Sequence, residues 1–132
     1  MTFYYEELTS RLARPTIPIL LKSGNKIVFY VGLIDSGADY CVFSIETAKA
    51  LGIKLSRQIV KIEGVGSSKV KGRFGTVTLK IGSASYKLKA VFAEIRELGY
   101  GILGGIGFFD HFDVKLSYKK RTIEINHSSR IS

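Results

Sequence analysis

The chain has 132 residues, of which 45% are hydrophobic, so it suits a single domain that can bury a core of its own. No apolar run approaches the roughly 18–20 residues needed to cross a bilayer, and the N-terminus lacks the basic-then-apolar order of a signal peptide. The lone cysteine, Cys41, excludes an internal disulfide. We therefore expect a cytoplasmic protein without a membrane partner, with one domain over residues 1–132 and an N-terminal arm of uncertain order at 1–14.

The net charge of +9 is unevenly placed along the chain. Residues 54–89 hold nine lysines and arginines against a single acidic residue, Glu63. A basic surface attracts acidic peptide or nucleic acid, but it can also be a solvated strand face without a partner. Few aromatic residues stand among these lysines, whereas proteins that bind single strands use aromatic stacking. Nucleic acid is therefore not expected as a partner, and a basic nucleic-acid-binding β-barrel is kept only as an alternative.

The order of apolar runs and turn residues predicts mostly strands. A strand is expected at 15–21, followed by a second one at Lys26–Ile34, whose continuous apolar run indicates burial on both faces. Ser44 as N-cap and Gly52 as C-cap predict a short helix between them. Further strands are predicted at 59–62, 70–74, 76–81, 86–93, 114–116 and 122–125. Most of them are separated by turns that contain glycine, and the last two are joined around 118–121. The sequence thus predicts an all-β fold with one short helix.

A carboxylate follows directly on the apolar strand that ends at Ile34. Asp35 is therefore expected to be partly desolvated and to need hydrogen-bond partners. Ser36 supplies a hydroxyl, Gly37 allows a sharp turn and close approach of another backbone, and the small Ala38 keeps the site open. Asp-Ser-Gly is also ordinary turn chemistry, so a purely structural turn is the alternative.

A second segment of interest is Ile102-Leu103-Gly104, followed by three phenylalanines at 108, 109 and 112. Two apolar residues and a glycine are expected to pack beneath a strand turn where no side chain fits. Residues 99–104 also match the dinucleotide pattern G-x-G-x-x-G, but too few residues follow for the rest of a nucleotide-binding half. The two histidines form no metal-ligand pattern and Cys41 is the single cysteine, so we expect no metal and no cofactor. As a nucleophile Cys41 would need a histidine beside it, and its place just past the Asp35 loop is interpreted as packing.

These motifs occur in one order: an apolar strand, D-S-G-A-D at 35–39, a short helix, a glycine-tipped hairpin at 62–70 and I-L-G at 102–104. In that order, from about Pro15 to about Ile125, the sequence resembles the retroviral-like aspartic proteases (retropepsins). The resemblance implies a retropepsin-like barrel, a single lobe that dimerises, and hydrolysis of peptide or protein substrates. The family more often has threonine where this chain has Ser36, which keeps the hydroxyl but lacks the methyl group.

The resemblance also implies a role for each site residue. Because the chain contains one D-[ST]-G motif, Asp35 would be the single catalytic carboxylate of each subunit in a homodimer. Ser36 would brace the two loops, and Gly37 would lie beside the substrate backbone. A flap and apolar subsites would supply the substrate-binding residues, which are Ala38, Ile62, Gly64, Val65 and Gly66. A non-catalytic module with the same fold, used for dimerisation or peptide binding, is the main alternative.

Overall fold

The computed structural model describes residues 1–62 and 69–127. Within these two ranges the chain forms strands, one α-helix and a single-turn 3-10 helix at Arg96–Leu98. The elements are β1 (Thr2–Tyr4), β2 (Glu6–Glu7), β3 (Ala13–Arg14), β4 (Thr16–Ser23), β5 (Lys26–Ile34), β6 (Val42–Ser44), α1 (Ile45–Leu51), β7 (Ile59–Ile62), β8 (Val70–Ile81), β9 (Ala84–Ala93), β10 (Gly101–Leu103), β11 (Phe112–Ser117) and β12 (Thr122–His127).

Six strands close into a barrel. The main sheet has the order β4-β5-β10-β6-β9-β8-β7, and β4 pairs a second time with β8. This second pairing runs from Leu20 opposite Lys80 to Lys22 opposite Thr78. The strands β4, β5, β10, β6, β9 and β8 therefore form a closed ring, and β7 extends beyond it. The closed sheet and the short α-helix confirm the predicted fold class of an all-β barrel.

The core follows from the period-two alternation of the barrel strands. On β4, Ile17 and Leu21 point inward and are fully buried, and Leu79 and Ile81 do the same on β8. Burial of each such side chain contributes about 1.5–3 kcal/mol relative to leaving it in water. The inward residues of the barrel strands, together with residues of α1, β11 and β12, thus form one continuous core.

The helix has the limits that its capping residues predict. The Ser44 hydroxyl accepts a hydrogen bond of 3.1 Å from the Glu46 amide. Gly52 ends α1 in the left-handed conformation with φ 67°, and its amide donates to the carbonyl of Lys49. Both signals are local to the chain, so the prediction of this helix was confirmed.

The two strands predicted at 70–74 and 76–81 are one continuous strand, β8. Gly75 does not interrupt the strand as predicted, because this residue pairs with Ala90 in the middle of the ladder. A Cβ atom at Gly75 would lie 2.8 Å from the Ile53 side chain and 3.1 Å from that of Phe92. The glycine therefore marks close packing against its neighbours and not a turn.

The prediction that β5 is buried on both faces was wrong. Its inner face packs against the core, but its outer face carries Ile27, Phe29 and Val31, which are 50%, 83% and 41% exposed. The sheet has a single layer at this point, because no other element of the described chain covers the outside of β5.

Residues 1–14 form short strands in the structure. β1 pairs antiparallel with β12, from Thr2 opposite Glu124 to Tyr4 opposite Thr122, and makes a three-stranded sheet with the β11–β12 hairpin. β2 pairs with β3 in a small separate ladder. In the part of the chain described, none of the helices has the length and apolar character to span a membrane.

Candidate active site

Asp35 is the first residue after β5 and is half-buried. Its amide donates a hydrogen bond of 3.0 Å to the carbonyl of Leu103. Its carboxylate atom Oδ1 accepts a hydrogen bond of 2.9 Å from the Gly37 amide, and its carbonyl accepts one from Ala38. Oδ2 accepts no hydrogen bond from the described residues, so this oxygen is available to a ligand. The loop itself thus fixes one side of the carboxylate.

β10 passes directly behind this loop. It lies parallel to β5, with Leu103 opposite Ile34, and the chain then continues through Gly104. A Cβ atom at Gly104 would overlap the Tyr40 carbonyl oxygen and would lie 2.7 Å from that of Ala38. The next amide, that of Gly105, donates to the same Ala38 carbonyl at 2.8 Å. These contacts confirm that no side chain fits behind the turn.

Ser36 and Gly37 form the outer edge of the loop, and both are exposed. The Ser36 hydroxyl has no hydrogen-bond partner within residues 1–62 and 69–127. The Asp35–Gly37 hydrogen bond closes a turn of the kind that Asp residues commonly make, so the local geometry suits both a structural turn and a positioned carboxylate. A positioned carboxylate is favoured because Asp35 is only half-buried and Ala38, in the same loop, packs against an apolar cluster.

That apolar cluster has Val42, Val91, Ala93, Ile95 and Ile102 as its buried members. Ala38 and Ile62, two residues predicted to bind substrate, both pack against it. Tyr40 and Phe74, which the sequence analysis did not single out, meet edge to face in the same cluster with their ring centres 5.3 Å apart. The other predicted substrate-binding residues, Gly64, Val65 and Gly66, lie outside the described residues.

Cys41 lies on the core side of the loop and is completely buried. Burial raises the pKa of its thiol from 9.0 to about 12, so the thiol stays protonated at neutral pH and is a poor nucleophile. Burial also raises the pKa of Tyr86, whose hydroxyl donates a hydrogen bond of 2.7 Å to the carbonyl of Gly107. The buried Cys41 is thus a packing residue, as expected, and Tyr86 ties β9 to the Gly107 turn.

The barrel and its single Asp-Ser-Gly loop define the retropepsin class of folds. Residues 23–105, well over half of the chain, match the family model described as aspartyl protease, and the chain belongs to this family. The structure is similar to that of EIAV protease in complex with the inhibitor HBY-793, with a TM-score of 0.53 and 29% sequence identity. That match covers 69% of this chain and 81% of the EIAV chain. The comparison with curated proteins gave no significant match. The predicted family and retropepsin-like fold are thereby confirmed.

Proposed function

We propose that this protein is an aspartic endopeptidase whose catalytic carboxylate is Asp35. The observation that carries the proposal is the position of this carboxylate at the end of an apolar strand. One of its oxygens is held by the Gly37 amide, and the other is free of hydrogen bonds from the described residues. A carboxylate fixed in this way can exchange a proton with water in a defined direction.

The active enzyme is proposed to be a homodimer. Peptide hydrolysis by this mechanism needs two carboxylates that share one proton, and the chain contains one Asp-Ser-Gly motif. Two copies related by a two-fold axis would supply Asp35 twice, and two-fold dimers are the commonest oligomers. The exposed Ser36 hydroxyl has no partner in the described parts of its own chain, which supports a role in bracing the opposite loop.

In the proposed reaction, the ionised Asp35 of one subunit takes a proton from water while the water oxygen attacks the carbonyl carbon. The protonated Asp35 of the other subunit donates its proton to the carbonyl oxygen. In the collapse of the tetrahedral diol, the first Asp35 returns its proton to the nitrogen and the C–N bond breaks. A diol hydroxyl passes its proton to the second Asp35, which restores the dyad. The sequence of steps involves no covalent enzyme intermediate and calls for no cofactor.

Substrate is proposed to bind as an extended strand over the Asp35 loop, held by main-chain hydrogen bonds. Gly37 would lie beside the substrate backbone, since it is exposed and carries no side chain. Ala38 and Ile62 would line an apolar subsite, which their packing on one cluster supports. Gly64, Val65 and Gly66 are proposed as part of a flap that closes over the peptide and excludes water.

Digestion of a peptide library by the wild-type protein and by Asp35→Asn tests the proposal. The wild type should cut peptides with apolar residues at the cleaved bond, a statine-type inhibitor should block this cleavage, and Asp35→Asn should show no cleavage. Asp113→Asn, an exposed change on β11, is the matched control and should retain wild-type cleavage. Equal cleavage by the wild type and Asp35→Asn would remove Asp35 from the mechanism. Peptide binding without cleavage by any variant would favour the non-catalytic module.

A further inference from the structure

The outer face of β5 carries a continuous apolar surface. Ile27, Phe29 and Val31 alternate along the strand and all point away from the core, and Phe29 is 83% exposed. Their neighbours across the ladder on β4 include Leu20 opposite Phe29 and the exposed Pro18 opposite Val31. We refer to Ile27, Phe29 and Val31 as the outer stripe. Scattered apolar residues on a surface are ordinary, whereas a row of them on one strand face, with an exposed aromatic ring, is a candidate binding surface.

Lysines border the outer stripe on one side. Across neighbouring strands, Phe29 lies opposite Leu20, and Leu20 lies opposite Lys80. In the same way Ile27 lies opposite Lys22, which is followed across the sheet by Thr78 and then Lys87. The four strands β4, β5, β8 and β9 contain no aspartate or glutamate. Their seven basic residues are Lys22, Lys26, Lys71, Arg73, Lys80, Lys87 and Lys89.

The charges select among the possible occupants of this surface. A second copy of the chain would bring lysines against lysines, which is unfavourable. A lipid surface also attracts an apolar face bordered by cations, but the continuity of the stripe with the candidate active site favours a substrate segment. A peptide segment that contains both acidic and apolar residues in alternation fits this surface. Its apolar side chains can cover the outer stripe while its carboxylates contact the bordering lysines.

The outer stripe also leads to the candidate active site. β5 ends at Ile34, directly before Asp35, and the alternation of the strand places Leu33 on the same face as Val31. At about 3.3 Å per residue, Phe29 lies roughly 20 Å from Asp35 along the strand. An extended substrate whose cleaved bond lies at Asp35 can therefore reach the outer stripe with residues on one side of that bond.

We infer that the outer stripe and its lysine border form an exosite for an acidic and apolar segment of a protein substrate, outside the residues around the cleaved bond. This inference rests on the proposed function. Binding at a distance from the reacting atoms strengthens the ground state and the transition state equally, so the exosite lowers KM and leaves kcat unchanged. Because the attraction between charges is screened by salt, the lowering of KM shrinks as ionic strength rises.

The test uses fluorogenic peptides with one cleavage sequence and an added tail at either end. One tail alternates glutamate with leucine or phenylalanine, and the other is a neutral Ser-Gly tail of equal length. The acidic-apolar tail should lower KM about fivefold or more, which corresponds to roughly 1 kcal/mol. Phe29→Ser and the double variant Lys80→Glu/Lys87→Glu should lose this gain and still cut the Ser-Gly peptide like the wild type. Lys119→Glu/Lys120→Glu, on the exposed turn of the β11–β12 hairpin, is the charge-matched control for the double variant and should keep the gain.

A binding measurement separates this inference from the proposed function. Fluorescence anisotropy of the labelled acidic-apolar tail with the Asp35→Asn protein should show binding that Phe29→Ser abolishes, and this readout needs no cleavage. If no peptide is cut but the tail binds through Phe29, the docking surface stands and the proposed activity fails. If peptides are cut and the tail neither binds nor lowers KM, the exosite is refuted. Co-sedimentation with phosphatidylserine vesicles that depends on Phe29, without tail binding, would overturn the inference in favour of a lipid surface.

Discussion

The amide of Asp35 donates its hydrogen bond to the carbonyl of Leu103, 3.0 Å away. This bond ties the start of the candidate catalytic loop to a strand that arrives much later in the sequence. Directly after it, Gly104 passes so close to the carbonyls of Tyr40 and Ala38 that a single added carbon has no space. The position of the carboxylate therefore depends on a glycine that takes no part in the chemistry.

Gly104→Ala should lower the free energy of unfolding by about 2–3 kcal/mol, because the new Cβ atom would overlap rigid backbone rather than an adaptable side chain. Gly105→Ala is the matched control. Its Cβ atom would lie 3.4 Å from the nearest carbonyl oxygen, which is ordinary contact, so a change within about 0.5 kcal/mol is expected. Urea denaturation of the three proteins measures the difference. Equal losses for the two variants would contradict the close approach at Gly104.

Mixing wild-type protein with Asp35→Asn tests whether the active site is shared between two chains. If the subunits exchange freely and both carboxylates are needed, random pairing of equal amounts leaves about one quarter of the dimers active. If each chain works alone, half of the activity of the same total protein remains. Initial rates of peptide cleavage after equilibration distinguish a quarter from a half. Loss of specific activity on dilution should accompany the first outcome, since the dimer dissociates.

Ser44→Ala should destabilise the protein by about 1 kcal/mol through loss of the N-cap hydrogen bond to Glu46. Ser83→Ala removes a hydroxyl from an exposed turn and should change stability by less than about 0.5 kcal/mol. Thermal unfolding followed by circular dichroism measures both. A loss from Ser83→Ala as large as that from Ser44→Ala would show that the cap contributes nothing specific.

The buried Cys41 thiol should make stability depend on pH in the alkaline range. Burial raises its pKa from 9.0 to about 12, so between these values the unfolded chain loses the proton while the folded chain keeps it. The contribution is therefore fully present below pH 9 and is lost as the pH rises toward 12. Burial also raises the pKa values of Tyr30 and Tyr86, which act in the same direction.

Cys41→Ala removes the thiol, together with its electrostatic effect on the pKa of Tyr86, and leaves the tyrosine side chains in place. The midpoint of thermal unfolding should fall less steeply with pH in this variant than in the wild type, whatever the difference between them at pH 7. Identical slopes would show that the thiol does not titrate with a raised pKa. As a second readout, thiol reagents should modify Cys41 in the native protein only at the rate of opening, and rapidly after denaturation.

The local signals of the sequence predicted local structure well. Ser44 and Gly52 mark both ends of α1, and Gly104 was expected where a side chain has no room. The Asp35 carboxylate, which follows an apolar strand, was expected to need hydrogen-bond partners, and its Oδ1 accepts a bond from the Gly37 amide. Each of these features depends on neighbouring residues or on a steric requirement that a single residue type satisfies.

The errors come from contacts between distant parts of the chain. Gly75 was predicted to lie in a turn. A glycine is needed there because Ile53 and Phe92 pack against it, and no local pattern encodes that contact. The apolar run of β5 indicated two covered faces, although one face stays open. The pairing of β4 with β8 and of β1 with β12 also joins residues far apart in sequence, and alternation within a strand does not specify its partner.

The short seam between β4 and β8 has a consequence for synthesis of the protein. Leu20 pairs with Lys80, so the ring cannot close until most of the chain has left the ribosome. Until then the β4–β5 hairpin stands open, with Ile17, Ile19 and Leu21 facing water instead of a core. Pairing between residues so far apart in sequence is slow. During that time the open hairpin exposes apolar side chains of the kind that chaperones bind in nascent chains.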